Sequence, residues 1–206
     1  LMIAIPNYGL GNVGSLINSL EKIDVNFSLV SNPELLSNFD RIILPGVGTF
    51  SKGIAKLEVM GWIKALNKFN NTKKPILGIC LGMQLLFNSS EEFNDKEVKG
   101  LGFIDGKVKL LRGNQNCKIP HMGWNNINII NNHQIFSGIS PHIDYYFVHS
   151  YACEPKNKSD ILGTTEHYEK FVSVVNKDNI IALQFHPEKS PPSGLKILKN
   201  FSEWNY

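Results

Sequence analysis

The sequence predicts an α/β fold: a single domain over 1–206, with a mainly parallel, twisted central sheet flanked by helices and extended by antiparallel strands. Three observations predict it. Short apolar runs alternate with segments of helical apolar spacing through the first 90 residues, the pattern of a parallel, doubly wound sheet. A cysteine, Cys80, sits between Gly78 and Gly82 where a strand meets a helix. A late apolar run, Ile180–Phe185, ends on His186 and Glu188.

The chain opens on a strand at Met2–Pro6, which runs into Asn7-Tyr8-Gly9-Leu10-Gly11-Asn12-Val13-Gly14. Val13, Leu16, Ile17, Leu20 and Ile23 then repeat at helical spacing. Strands follow at Val25–Val30 and Arg41–Leu44. After the turn Pro45-Gly46-Val47-Gly48, the apolar positions Phe50, Ile54 and Leu57, then Trp62, Ile63 and Leu66, predict one or two helices. The fourth strand delivers Cys80, and Met83, Leu86 and Phe87 continue beyond it in a helical pattern. Asn88–Lys99 is polar and acidic and predicts a solvated loop. From Leu101 to Val175 the pattern changes to short runs at Gly106–Leu111, Asn126–Ile130, Tyr145–His149 and Phe171–Val175, which predict antiparallel strands. Leu195, Ile197, Leu198 and Phe201 predict a closing helix.

Composition narrows the function. With 206 residues, 42% hydrophobic and 19% charged, this is an ordinary globular composition. A formal charge of +3, with no basic cluster interleaved with aromatics, gives no case for nucleic acid. The three cysteines, Cys80, Cys117 and Cys153, are too scattered for a disulfide framework or a metal site and point to a reducing compartment. No apolar run approaches 18 residues and no leader-like segment stands at the start. The expectation is a cytoplasmic protein away from membranes, with neither metal nor organic cofactor.

The stretch Gly78-Ile79-Cys80-Leu81-Gly82 is a nucleophile elbow with a thiol in place of a hydroxyl. The turn is too sharp for a Cβ at either flank, so glycine stands on both sides. Free N–H groups at the start of the following helix favour a thiolate. The Leu81 N–H would face the oxyanion of an acyl intermediate. In Gln184-Phe185-His186-Pro187-Glu188-Lys189, the histidine and glutamate lie two apart at a strand end, so both can serve one side of the chain. Such a histidine can take the thiol proton and later protonate a leaving amine, and the carboxylate fixes its tautomer. Gly46-Val47-Gly48 offers backbone N–H groups as a second oxyanion donor. Gly9-x-Gly11-x-x-Gly14 matches a dinucleotide-binding string, but Ser31 and Asn32 stand where an acidic residue should follow the second strand. A non-catalytic nucleotide-binding module is therefore one alternative, and a cysteine peptidase another.

These strings, together with Pro120-His121-Met122-Gly123-Trp124-Asn125 and Phe147-Val148-His149-Ser150-Tyr151, resemble the class I (triad-type) glutamine amidotransferases across essentially the whole chain. Within that class the chain is similar to the glutaminase subunits of imidazole glycerol phosphate synthase. The resemblance implies that Cys80 attacks the side-chain amide of glutamine, that His186 is its acid and base, and that Glu188 orients His186. It implies that Gln84 and the backbone of Ser150 and Tyr151 hold the substrate's amino-acid head, and that Gly46-Val47-Gly48 is the oxyanion strand, whose N–H points correctly after a flip. It further implies ammonia delivery to a separate (β/α)₈-barrel cyclase subunit, with Trp124, Asn125, Tyr146 and Lys189 at the interface. Relatives in surface-polysaccharide biosynthesis feed a sugar-amidating enzyme instead. The departures Asn7 for an acid, Glu166-His167-Tyr168-Glu169-Lys170, and Ala152 fit that branch too.

Overall fold

A computed structural model describes residues 1–92 and 97–206. The chain alternates β1 (Ile3–Pro6), α1 (Val13–Lys22), β2 (Phe27–Val30), β3 (Arg41–Leu44), α2 (Phe50–Val59), α3 (Trp62–Asn71), β4 (Ile76–Ile79) and α4 (Leu81–Leu85). It continues through β5 (Phe87–Ser90), β6 (Val98–Lys99), β7 (Ile104–Leu110), β8 (His121–Asn126), β9 (Asn128–Ile129), β10 (Asp144–His149), β11 (Tyr151–Pro155), β12 (Ile161–His167), β13 (Glu169–Lys177), β14 (Ile180–Leu183) and α5 (Ser193–Glu203).

The strands β2, β1, β3, β4 and β14 lie side by side and parallel. β13, β11 and β7 extend that sheet in antiparallel fashion, and β5 and β6 complete the far edge. β12 and β9 pair off β13, while β8 and β10 form a separate two-stranded sheet.

Parallel strands bury both faces, which is why β1, β3, β4 and β14 are apolar and buried throughout apart from Arg41. Alternate side chains serve opposite layers. Ile3, Ile5, Ile43, Leu77 and Ile79 pack in one core with Leu16 and Leu20 of α1 and Ile197, Leu198 and Phe201 of α5. Ala4, Ile42, Leu44 and Ile76 pack in the other with Leu57 of α2 and Trp62, Leu66 and Phe69 of α3. Arg41, 1% exposed, turns its guanidinium to the carbonyls of Ser202 and Trp204 at 3.0 and 2.6 Å and to Asn205 Oδ1 at 3.0 Å. A cation at the end of α5 thus satisfies carbonyls that the helix cannot.

Three expectations need correction. Asn88–Lys99 is not a loop throughout, since β5 and β6 occupy its two ends; 93–96 lie outside the described residues. The helix after Cys80 is only five residues long, and Phe87 already belongs to a strand. Leu86 caps that helix and Phe87 opens β5, and both are buried. The run expected at Asn126–Ile130 is the end of β8 and the short β9, divided by a buried Ile127. The departure at 166–170 is a tight hairpin between β12 and β13, with Tyr168 at φ +60°.

Candidate active site

The register of the parallel strands brings three chain ends together. Leu44 of β3 lies beside Gly78 of β4, and Ile79 of β4 beside Leu183 of β14. Pro45, Cys80 and Gln184 therefore leave the sheet side by side, at the carboxyl end where α/β folds place their reactive groups.

Cys80 sits at φ +54° and ψ −111°, a conformation that side chains rarely adopt. The tight turn is packed from both sides. A Cβ on Gly82 would stand 1.9 Å from the Leu44 carbonyl oxygen, and one on Gly78 2.7 Å from Leu86 Cδ1 and 2.9 Å from the Gly82 carbonyl. The Cys80 N–H donates to Leu183 O at 2.8 Å, so the strained residue is pinned to β14. Its Sγ lies 3.9 Å from both the Val148 carbonyl and Gln184 Nε2.

His186 is 2% exposed and is held by its backbone: its N–H donates to the Tyr146 carbonyl at 2.9 Å, and Ser190 Oγ donates to its carbonyl at 2.7 Å. Its Nδ1 lies 2.7 Å from Glu188 Oε1. Its Nε2 is buried and finds no hydrogen-bond partner among the described residues. Cys80 stands close enough to act on the ring's charge. Burial opposes that charge, but Cys80 and Glu188 outweigh it and raise the His186 pKa to about 10. A protonated ring would direct its Nδ1 hydrogen at Glu188 and hold the other on Nε2.

A cavity of about 320 Å³ opens over these groups, lined among others by Val47, Gly48, Cys80, Leu81, Gln84, Glu92, Ser150, Tyr151 and His186. A larger one of about 590 Å³, between the Pro33–Asn38 turn and α3, is lined by neither cysteine nor histidine. Its Lys74 is committed to the carbonyls of Ser37 and Phe39. Among the described residues, no group of acids, histidines and cysteines is arranged to hold a metal ion.

The sequence model of the glutamine amidotransferase class-I family matches residues 4–204. The chain belongs to that family. It is 46% identical over 201 residues to the imidazole glycerol phosphate synthase subunit HisH 2 of Methanococcus maripaludis, covering 97% of this chain and 98% of that one. It is 44% identical over 206 residues to the HisH subunit of Sulfurimonas denitrificans, covering 98% of each. Among solved structures, a crystal structure of a glutamine amidotransferase superposes with a TM-score of 0.75 at 15% identity, covering 98% of this chain and 97% of the other. The structure of PurLQS from Thermotoga maritima gives 0.72 at 20% identity, covering 97% and 96%. At such identities the likeness to these structures is one of fold alone.

In this amidotransferase most of the residues singled out from sequence meet in the one cavity. Val47, Gly48, Cys80, Leu81, Gln84, Ser150, Tyr151 and His186 all line it, and Glu188 stands behind His186. Gly46 does not. It is buried beneath the turn, where a Cβ would meet the Tyr8 hydroxyl at 2.6 Å and Leu81 Cβ at 2.9 Å. Tyr8 donates to the Pro45 carbonyl at 2.5 Å, and Gly11 packs against the Pro45 ring. The glycine string after β1 thus serves to seat Tyr8 and the first turn against the Pro45–Gly48 segment.

Trp124, Asn125, Tyr146 and Lys189 lie outside the cavity, around the two-stranded sheet. Trp124 pairs with Tyr146 across β8 and β10, their rings 5.9 Å apart, and the Lys189 ammonium stands 5.2 Å from the Tyr146 ring centre. Trp124 is 57% exposed and Met122 63%.

Sequence reasoning missed Glu92, Gln184, His149 and Tyr8. Glu92 lies in the cavity with its carboxylate accepting from the Phe50 N–H; burial raises its pKa and that bond lowers it. Gln184 is fully buried, and its Oε1 accepts from Gln84 Nε2 at 3.2 Å. A signal for Gln184 was present in its place two residues before His186, with a polar side chain at the end of an apolar run. Nothing local marks Glu92.

Proposed function

We propose that this chain is the glutaminase subunit of a two-subunit synthase, hydrolysing glutamine to glutamate and ammonia. The ammonia passes to a (β/α)₈-barrel cyclase subunit, which forms imidazole glycerol phosphate and AICAR in histidine biosynthesis. The observation that carries this reading is the meeting in one small cavity of the strained Cys80, the Glu188-paired His186 and an acid, Glu92, with no lysine or arginine among the cavity-lining residues.

That cavity suits a zwitterionic amino acid. Glu92 and the Gln84 amide receive its ammonium group, and backbone N–H groups near Ser150 and Tyr151 receive its carboxylate. Cys80 passes its thiol proton to His186 Nε2 and its Sγ attacks the side-chain carbonyl carbon; the C–N bond breaks, and His186 Nε2 gives that proton to the departing ammonia. The product is a γ-glutamyl thioester. His186, now neutral at Nε2, takes a proton from water as the water attacks; the C–S bond breaks, and glutamate leaves with Cys80 and His186 restored. Glu188 steadies the imidazolium throughout. The Leu81 N–H and those of Val47 and Gly48 act on the oxyanion.

The exposed Trp124, with the half-buried Tyr146, Lys189 and Asn125 beside it, is the face offered to the cyclase. It adjoins the His186 turn, since Tyr146 holds the His186 N–H. No helix among the described residues is long and apolar enough to cross a membrane, and a biosynthetic role places the complex in the cytoplasm.

The deciding experiment is glutamate release from glutamine by the chain alone and with the histidine-pathway cyclase of the same organism and its nucleotide ligand, with Cys80→Ala as control. Stimulation that the control abolishes supports the reading. Absence of stimulation, with a glutamine analogue still labelling Cys80, transfers the acceptor to a sugar-amidating partner. Neither stimulation nor labelling defeats it.

A further inference from the structure

Two buried histidines outside the chemistry form a directed chain of hydrogen bonds into the cavity. His149 (6% exposed) has Nδ1 2.9 Å from the Tyr151 carbonyl and Nε2 3.0 Å from His121 Nδ1. A carbonyl only accepts, so His149 Nδ1 carries the hydrogen. Burial holds the ring neutral, with its pKa lowered to about 3, so Nε2 is bare and accepts. His121 (3% exposed) must then donate from Nδ1 and accept at Nε2, and Asn125 Nδ2 stands 3.3 Å from that atom. The second Asn125 amide hydrogen goes to the Glu166 carbonyl at 2.8 Å. Stacking of His121 on His167 (4.2 Å) and on Phe147 (4.9 Å), and the edge contact of His149 with Phe171 (4.9 Å), fix both ring planes.

The inner end reaches the substrate site. The Tyr151 carbonyl also accepts from Gln84 Nε2 at 2.9 Å, and the other hydrogen of that nitrogen goes to Gln184 Oε1. With both hydrogens committed, Oε1 is the end of the Gln84 amide left for a ligand.

We infer that His149 and His121 are positioning residues for glutamine: through the Tyr151 carbonyl they fix the Gln84 amide with its oxygen turned to the substrate ammonium, and Asn125 anchors the outer end of the relay. This rests on the glutamine reading of the cavity. It also gives Asn125, on the face proposed for the cyclase, a direct connection to the binding of glutamine.

The test compares two alkylations of Cys80 on the isolated full chain: by iodoacetamide, which needs no amino-acid head, and by a γ-chloroketone analogue of glutamine, which does. His149→Phe keeps a planar aromatic ring and removes both bonds. Analogue labelling should fall roughly tenfold while iodoacetamide labelling holds, as expected for a misplaced hydrogen-bonding group. His149→Asn, whose amide can still donate to Tyr151 O, should recover part of the loss. Asn125→Ala, at the half-buried end where folding is least at risk, should slow analogue labelling about threefold. An unchanged ratio of the two rates in His149→Phe overturns the proposal, as does an equal fall in both, which marks a merely structural role. An unchanged ratio in Asn125→Ala removes the anchor at that residue. An unmodified chain that takes iodoacetamide but not the analogue defeats the glutamine reading itself.

Discussion

Glu188 Oε1 holds His186 Nδ1 at 2.7 Å, while the opposite ring nitrogen, buried, bonds to nothing among the described residues. One side of the imidazole is committed and the other left open; Cys80 and Glu188 favour the charged ring against the burial that opposes it. The His186 pKa in the folded chain, about 10, lies above its ordinary 6.5. The stabilisation from its proton is therefore complete below about pH 6.5 and is lost as pH rises toward 10. Thermal melts should show a decline across that window. In Cys80→Ala or Glu188→Gln, each lacking one source of the upward shift, the decline should be smaller and should end at lower pH. Identical pH profiles in all three proteins would contradict the coupling.

Glu188→Gln should also reduce turnover of glutamine by about 10²–10⁴-fold, because an amide neither stabilises the imidazolium nor guarantees its tautomer. Steady-state glutamate release in the presence of the partner reads this directly. A loss below tenfold would show that Glu188 does not orient His186.

Gly82→Ala should cost about 3 kcal/mol or more, since its Cβ would meet the backbone oxygen of Leu44, which has no side-chain freedom with which to retreat. Urea unfolding measures it. Gly48→Ala is the contrast: at φ +112° with nothing within 4 Å of the added carbon, it bears only backbone strain, of about 1–3 kcal/mol.

Arg41→Met removes three hydrogen bonds that the guanidinium makes beyond the end of α5 and leaves two buried carbonyls without their donor. A loss of about 2–4 kcal/mol in unfolding free energy is expected, with iodoacetamide labelling of Cys80 unaltered. A stability unchanged within error would mean that water replaces the cation at no cost.

Tyr8→Phe deletes only the hydroxyl that donates to Pro45 O. The expected loss is about 1 kcal/mol of stability, with slower glutamine turnover as the Pro45–Gly48 segment loosens. Turnover equal to that of the unmodified chain would separate Tyr8 from the oxyanion segment.

Most of the parallel half was legible because its signals are local. Apolar strands of four residues alternate with amphipathic helices, and β3 was read with its observed limits, Arg41–Leu44. The antiparallel half was harder. β8 reads His-Met-Gly-Trp-Asn-Asn and β5 reads Phe-Asn-Ser-Ser, neither of which alternates as a half-buried strand should, and they are strands because a neighbour supplies the ladder. The helix after Cys80 was overextended because Leu86 and Phe87 are apolar at helical spacing, and periodicity alone cannot distinguish a helical face from a buried strand that follows it.

By itself the sequence determined the class of fold and the pair of local devices at the site. The glycine-flanked thiol and the His-x-Glu turn each depend on residues within a few positions of one another, where sterics and strand geometry leave few choices. The tertiary structure decided what surrounds them. Gln184 lies 104 residues from Cys80, and His121 lies 28 from His149; they meet through strand register and the folding of one sheet against another. A neutral histidine chain or a buried glutamine is stable only where its partners are already in place, and those partners come from segments whose proximity no local pattern records.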